Sequence, residues 1–516
     1  MKLKLKKDLS KSVKFRPNFR VDPESKRFQA AVRYFTYGIM TTLTIGLSAV
    51  ILFLALGYRF NRNTLTFTRD GLVQLATAPV NANYVFNGGK VTAGQAPARL
   101  TLGAGLYHIQ LTYPGYRPWA KDLTVIAGHV HWITYPRLIP DTLHPHQLKK
   151  YGQLSFAEVA PNGQYLLLYF DQGPNSKNQL TLVNLSNPKK LTYTTLTLPA
   201  QAITQQSGPV PGNLVFGEWS LDSQHVLLKH VDGATSDFLS LNVTDPSAVV
   251  NLTQLFQLPI VEAHYSGSDP NTIYALTSDN VLRSFNVSSD EVSGALLDGV
   301  NQFLVYGSDE IVFDRTFSVT SGTTTTTVQQ TGLLQDGDKT IVETLPPSHS
   351  VFVDYDEFDN HSYFVVSDAT THTVTVWQDP QNPASTVPFV TFTDIAPQYV
   401  DFDAAGRFLL LQQGAHLVVY DFYETQKFDY NLPFSIPTGL DVYWIDDFHL
   451  ATVINGELEM WEFDGTNYNS LVPSSVSLYE ESILDNGNNV LYSFATPKGS
   501  KAGTVDFYQT SLKVKS

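Results

Sequence analysis

The sequence predicts an all-β ectodomain, a small antiparallel β-sandwich followed by a β-propeller of about 7–8 blades, behind one N-terminal transmembrane α-helix. Three observations predict it. Residues 34–58 carry no charge between Arg33 and Arg59, residues from Gly71 onward form short alternating runs, and the rest of the chain repeats one β-rich unit. In order, the expected segments are a basic cytoplasmic arm over 1–33, a transmembrane helix over 34–58, a juxtamembrane linker over 59–70 and a sandwich over 71–140. A linker with a propeller-closing strand over 141–150 and a propeller over 151–516 complete the chain.

The helix comes first because about 20 apolar residues span a bilayer as helix. Its core is longer than that of a cleaved signal peptide and runs into Tyr58-Arg59-Phe60-Asn61-Arg62 with no Ala-x-Ala site, so it reads as a retained signal anchor. The arm holds 11 Lys/Arg against 3 Asp/Glu, whereas the remainder holds 23 against 45. That bias predicts a cytoplasmic N terminus and extracytoplasmic domains, although Arg59, Arg62 and Arg69 weaken it. The arm's cations fit anionic lipid at the membrane surface. No helix-turn-helix spacing, zinc ligands or stacking platform accompanies them, so nucleic acid is not an expected partner. With no cysteine in the chain, disulfides and zinc–thiolate sites are excluded and the domains must be held by their cores.

Between Gly71 and Pro140 the runs Leu72-Val-Gln-Leu-Ala, Asn83-Tyr-Val-Phe, Tyr107-His-Ile-Gln-Leu-Thr and Leu123-Thr-Val-Ile each end at Gly, Pro or Asn. Period-two strands between turn residues predict the sandwich. These residues resemble the PEGA domain family over roughly 70 positions, from Thr77-Ala-Pro79 and Ala82-x-Tyr84-Val-Phe86-Asn87-Gly88 through Ala96-Pro97, Gly105-Leu-Tyr107-His-Ile109, Gly115-Tyr116-Arg-Pro118-Trp119, Leu123-x-Val125 and Gly128. Two turns depart from the family pattern, Pro79-Val-Asn-Ala82 and Ala96-Pro97. The resemblance implies an extracytoplasmic accessory module with no catalytic residues to carry over. Gly115-Tyr116-x-Pro118-Trp119 offers either an aromatic platform for glycan or peptide or a turn whose rings close the sandwich.

Beyond a Pro- and His-rich linker the repeat begins. A strand, a polar turn, a strongly apolar strand, a second turn and a strand ending in an aromatic recur, as in Phe156-Ala-Glu-Val-Ala-Pro-Asn-Gly163 and Val400-Asp-Phe-Asp-Ala-Ala-Gly406. The turns at Gly163, Ser223, Asn271, Asp309, Asn360, Gly406, Asp447 and Gly487 lie 38 to 60 residues apart, which gives eight units. A blade hides only one face alone, so such units stack around an axis. Pro161-Asn-Gly-Gln-Tyr-Leu is similar to the blade signature of TolB-like and WD40-like propellers, without the Trp-Asp and Gly-His marks of true WD40 repeats. Because the last unit stops soon after its third strand, residues 143–149 are expected to supply the missing outer strand against 505–512.

No Gly-x-Ser-x-Gly elbow, His-Glu-x-x-His pair or phosphate-binding Gly-rich loop occurs. His129/His131 and His144/His146 could place two imidazoles on one strand face, but neither pair has a neighbouring carboxylate. The run Asp354-Tyr-Asp356-Glu-Phe-Asp359-Asn360 offers oxygen ligands to calcium or is simply a charged first turn; it lacks the sixth-position Gly of an EF-hand. Residues 320–327, Thr-Ser-Gly-Thr-Thr-Thr-Thr-Thr, read as a protruding hairpin, and Asn184, Asn242, Asn251, Asn286 and Asn360 open Asn-x-Ser/Thr triplets. No catalytic, cofactor-binding or metal residue is assigned and no cofactor is expected. The expected role is a membrane-anchored binding or scaffold protein of the cell envelope, engaging protein or cell-wall glycan, with a propeller hydrolase or lyase acting on envelope glycan or peptide as the alternative.

Overall fold

The computed structural model describes residues 26–55, 58–61, 66–88, 91–171, 179–203, 213–233, 235–307, 309–321, 324–382, 385, 387–474, 483–485, 487, 489–496 and 504–514. Most of the basic arm, with Arg16 and Arg20, lies outside them. Packing divides the chain into two units, residues 1–111 with 121–136, and residues 112–120 with 137–516.

In the first unit, helix α1 (Lys26–Ala55) leaves its apolar side chains exposed, and its Gln29–Phe53 stretch, 25 residues of mean hydropathy 1.7, is long and apolar enough to cross a membrane. The hydroxyls of Thr36, Thr42 and Thr44 donate to the carbonyls four residues back at 2.8, 2.9 and 2.9 Å, which satisfies them inside the helix. The helix therefore starts before the expected residue 34, because Arg27-Phe-Gln-Ala-Ala-Val-Arg33 continues it with residues that mostly favour helix. It also stops before 58: Tyr58 opens strand β1 (Tyr58–Asn61), which pairs antiparallel with the start of β2 (Thr66–Leu75). Residues 59–61 and 66–70 of the expected linker are thus strand.

The sandwich adds β3 (Asn83–Asn87), β4 (Thr92–Gln95), β5 (Ala98–Gly103), β6 (Gly105–Thr112), β7 (Trp119–Val125) and β8 (Val130–Ile133). One sheet runs β1-β2-β5 with β8 parallel to β2, and the other runs β4-β3-β6-β7. Period-two burial builds the core: Val73 and Leu75 from β2, Tyr84 and Phe86 from β3, Ile109 and Leu111 from β6 are buried while their neighbours face outward. Residues 112–120 and 137–140, expected in the sandwich, group with the second unit.

The second unit is a ring of eight antiparallel sheets over 153–197, 213–251, 260–298, 300–345, 351–393, 399–431, 443–473 and 483–511, the last completed by β9 (His146–Lys150). Every predicted turn residue from Gly163 to Gly487 joins the first and second strands of its sheet. Gly163, Ser223, Asn360 and Gly406 hold φ of 64°, 58°, 62° and 68°, the left-handed region that Gly, Asn and small polar residues enter most readily. The apolar second strands, such as Tyr165–Asp171 and Phe408–Gln413, are buried on both faces because each sheet is packed between two neighbours. Residues 320–327 fall on a hairpin between Glu310–Ser321 and Thr324–Gln335, whose register runs to Ser321↔Thr324.

The Asn-x-Ser/Thr triplets have a local structural use. Asn184, Asn242 and Asn286 each end a third strand, and their Oδ1 atoms accept the N–H two residues on at 2.9, 2.9 and 3.1 Å, closing an Asx turn. Asn242→Ala is expected to lower the unfolding free energy by about 1 kcal/mol, measured by urea denaturation.

Candidate functional site

Polar and charged side chains gather where the first strands of the blades end in their turns. Glu158, Glu218 and His264 are the penultimate residues of the first strands of blades 1, 2 and 3. The turns of blades 2, 3 and 4 enclose a cleft of about 320 Å³ lined by Glu218, Trp219, Leu221, Tyr265, Gly267 and Tyr306, among others. Two of its walls meet backbone to backbone: a Cβ on Gly267 would lie 1.5 Å from the Gly307 carbonyl oxygen, so no other residue fits there.

The Glu218 carboxylate binds the Tyr265 N–H and, at 2.8 Å, His264 Nδ1; Glu262 Oε1 lies 3.1 Å from His264 Nε2. Burial disfavours charge on His264, but the hydrogen bonds and charges of Glu218 and Glu262 outweigh it and push the imidazole up to about 9. It is therefore an imidazolium at neutral pH, a fixed cation between two carboxylates rather than a proton acceptor. The Tyr306 hydroxyl donates to Asp356, and burial followed by that carboxylate raises its pKa. Ser266 and Ser268 hydroxyls donate to the two Asp309 oxygens at 2.6 and 3.0 Å. These polar groups are thus paired within the fold, Tyr306 with Asp356 of blade 5 among them, which fixes the cleft's shape.

The acidic run is placed differently from expectation. Asp354, Asp356 and Glu357 belong to the strand Val351–Phe358, and only Asp359 and Asn360 form the turn, both at positive φ. Alternation decides this, since Val353 and Tyr355 are buried between blades. No group of three or more His, Asp or Glu able to hold a metal ion occurs among the described residues. Burial, above the charge of Asp356, pushes Asp354 up to about 7; burial likewise pushes Asp403 up to about 7, although Phe408 and Ala405 N–H groups bind its carboxylate. Asp403 is 1% exposed, so it braces its turn rather than meeting a ligand.

A folded-state pKa above the ordinary 3.8 means the folded protein holds that proton more tightly, so the contribution of Asp354 to stability is present at low pH and is lost as pH rises through about 7. Asp354→Asn keeps the Oδ1 acceptor for the Tyr355 N–H and removes the charge. Its stability relative to the unsubstituted protein is expected to improve by about 2–3 kcal/mol between pH 5 and pH 8, read from urea unfolding at both pH values. A gap that does not change with pH would contradict this reading.

The other sequence candidates resolve without a site. Tyr116 and Trp119 are buried and group with the second unit, with Trp119 Nε1 donating to Glu462 and Arg117 Nη1 to the Ser470 carbonyl at 2.9 Å, so these two rings offer no exposed aromatic platform. His131 Nε2 accepts the Ile126 N–H at 2.9 Å, and His146 lies in β9 paired with Gln509. Sequence reading missed Glu218, Glu262, His264 and Tyr306. Aligning the repeats by strand end, instead of by turn, would have set Glu158, Glu218 and His264 in one column.

Residues 71–137 match the PEGA domain family, in agreement with the resemblance read from the sequence. No curated protein matches the chain. Among solved structures, BamB from Moraxella catarrhalis is 11% identical, covering 71% of this chain and 100% of that one with a TM-score of 0.42. The β-propeller domain of Myceliophteria thermophila Cps50 (Swd1) is 12% identical, covering 71% and 99% with a TM-score of 0.36. Oligogalacturonate lyase from Vibrio parahaemolyticus is 10% identical, covering 70% and 98% with a TM-score of 0.37.

Proposed function

We propose that the protein is a single-pass, membrane-anchored binding or scaffold protein of the cell envelope, N terminus in the cytoplasm, whose propeller turns engage another envelope protein. One observation carries the binding role: Glu218, Tyr306 and Ser266 at the cleft among blades 2, 3 and 4 are hydrogen-bonded within the fold, while Leu221 stands 62% exposed at its wall. A rigid, internally satisfied cleft edged by apolar surface suits docking better than chemistry. The apolar helix, the PEGA match and the basic arm support the placement.

The test is a pull-down from envelope extract with the purified ectodomain and its Leu221→Asp variant, followed by identification of what is retained. A partner held by the first and lost by the second supports the reading. Equal retention by both removes the cleft from it. Asp354, titrating near neutrality beside Asp356, favours a second reading as a hydrolase or lyase acting on envelope glycan or peptide. Turnover of envelope glycan or peptide that disappears in Asp354→Asn would install that reading instead.

A further inference from the structure

The first unit has two ends of different character. At one, Asp70 pairs with Gly103 and its carbonyl accepts the Gly128 N–H at 3.0 Å, so the turns at 103–105 and 126–129 lie side by side. The turn after Asn87 joins them, since a Cβ on Gly88 would lie 2.7 Å from the Leu106 carbonyl oxygen. At the other end Leu75 pairs with Ala98, and the Ala78 N–H meets the Pro136 carbonyl at 3.0 Å; Val80 belongs there.

The first end is apolar. Leu106, Val91 and Ile126 are 65%, 62% and 50% exposed, with Val130 beside them. Single exposed aliphatics are ordinary, but these share one end. Residues 87, 88, 91, 103–106 and 126–130 include no carboxylate, in a chain that carries 48 Asp and Glu, although Asp70 stands between the 103–105 and 126–129 turns. Such an apolar end suits the interfacial layer of a membrane.

The same end adjoins the helix. α1 ends at Ala55 and β1 begins at Tyr58, three peptide steps or about 11 Å at most. Tyr58 pairs with Arg69, next to Asp70, whose partner is Gly103. Two strand spacings, about 10 Å, therefore separate the start of β1 from the 103–105 turn. The headgroup layer outside the hydrocarbon is itself about 5–8 Å deep. The whole path from Ala55 to this turn is about 21 Å at most, so the turn can meet the headgroups where α1 leaves the bilayer near Ala55.

We propose that this end of the sandwich rests in the headgroup layer of the membrane, with Leu106 and Ile126 inserted at the lipid interface, so that the domain is seated on the bilayer. The proposal rests on the membrane-anchored reading above. Because the chain has no cysteine, single-cysteine probes report it cleanly. The full chain is reconstituted in phosphatidylcholine vesicles containing one quarter phosphatidylglycerol, with an environment-sensitive fluorophore at Leu106→Cys, Ile126→Cys or Val80→Cys, all exposed positions. Headgroup nitroxide lipids are expected to quench the probes at 106 and 126 about threefold or more above the probe at 80. Equal quenching at the three positions in protein that floats with the vesicles overturns this inference alone. Protein that does not float overturns the membrane reading and this inference with it.

Discussion

Asp446→Ala is expected to lower the unfolding free energy by about 3–5 kcal/mol, because it removes a buried carboxylate that serves an enclosed guanidinium, an enclosed imidazole and two backbone N–H groups. Asp446 Oδ2 accepts from Arg137 Nη2 at 3.0 Å, and Oδ1 accepts from His449 Nδ1 at 2.7 Å and from the N–H groups of Phe448 and His449 at 3.0 and 2.9 Å. The side chains of Arg137, Asp446 and His449 are 9%, 10% and 4% exposed. Burial opposes the charge of Asp446, yet His449, Arg137 and the Phe448 N–H hold its carboxyl well below the usual carboxylate range. A depressed pKa contributes stability above the ordinary 3.8 and loses it as pH falls toward the folded value, so the variant and the unsubstituted protein should converge in strong acid. Urea unfolding at pH 7 and pH 3 reads both effects. A loss below 1 kcal/mol at pH 7 would show that water reaches Arg137 and His449 once the carboxylate is gone, and that this triad does not hold blade 7. Replacing all three residues by apolar ones of similar volume should recover much of the loss, since the cost lies in unpaired buried charge more than in the missing attraction.

What could be read from sequence divides along the same line, between local pattern and meetings across the ring. The helix was legible because residues 34–58 have no charge; its true start was hidden because Lys26, Arg27 and Arg33 look like an arm while being good helix formers. β1 was hidden because four residues containing an Arg give too short an alternation to outweigh the apolar stretch before them. Four of the eight turns were legible because a left-handed backbone selects Gly, Asn or a small polar residue at Gly163, Ser223, Asn360 and Gly406. Asp354 and Asp356 were assigned to a turn on charge density, although their alternation with buried Val353 and Tyr355 already marks a strand. The pair Glu218–His264 and the contact of Trp119 with Glu462 join residues far apart in the chain. Such meetings depend on how blades stack and on which segments a unit recruits, and no local period encodes that.

Ring closure supplies the second large effect. Phe507→Ala is expected to cost about 3–5 kcal/mol, as for other fully enclosed phenylalanines, but with a consequence particular to its place. Phe507 is 0% exposed and stacks on Phe494 at 4.9 Å and Tyr492 at 5.8 Å, in a core that also takes Leu166 and Leu168 from blade 1. Its strand, Asp506–Ser511, is where the two ends of the ring are joined: Asp506 pairs with Lys150, Phe507 with Lys149 and Gln509 with His146, while the Tyr151 N–H donates to the Val505 carbonyl at 2.9 Å. Elsewhere neighbouring strands within a blade are linked by a turn, so a local cavity does not separate them. Here the only covalent link between β9 and its partner strand is the rest of the propeller, and closure is recovered only after the whole ring has formed. Phe285→Ala in blade 3 removes an equally enclosed ring from strands joined by turns, and serves as the control. Both variants should lose similar stability to urea, but amide exchange at 146–150 should quicken only in Phe507→Ala, and that variant should associate through the freed edges of β9 and 506–511. Unchanged exchange at 146–150 would mean that the strand pairing, and not the aromatic core beneath it, holds the ring shut.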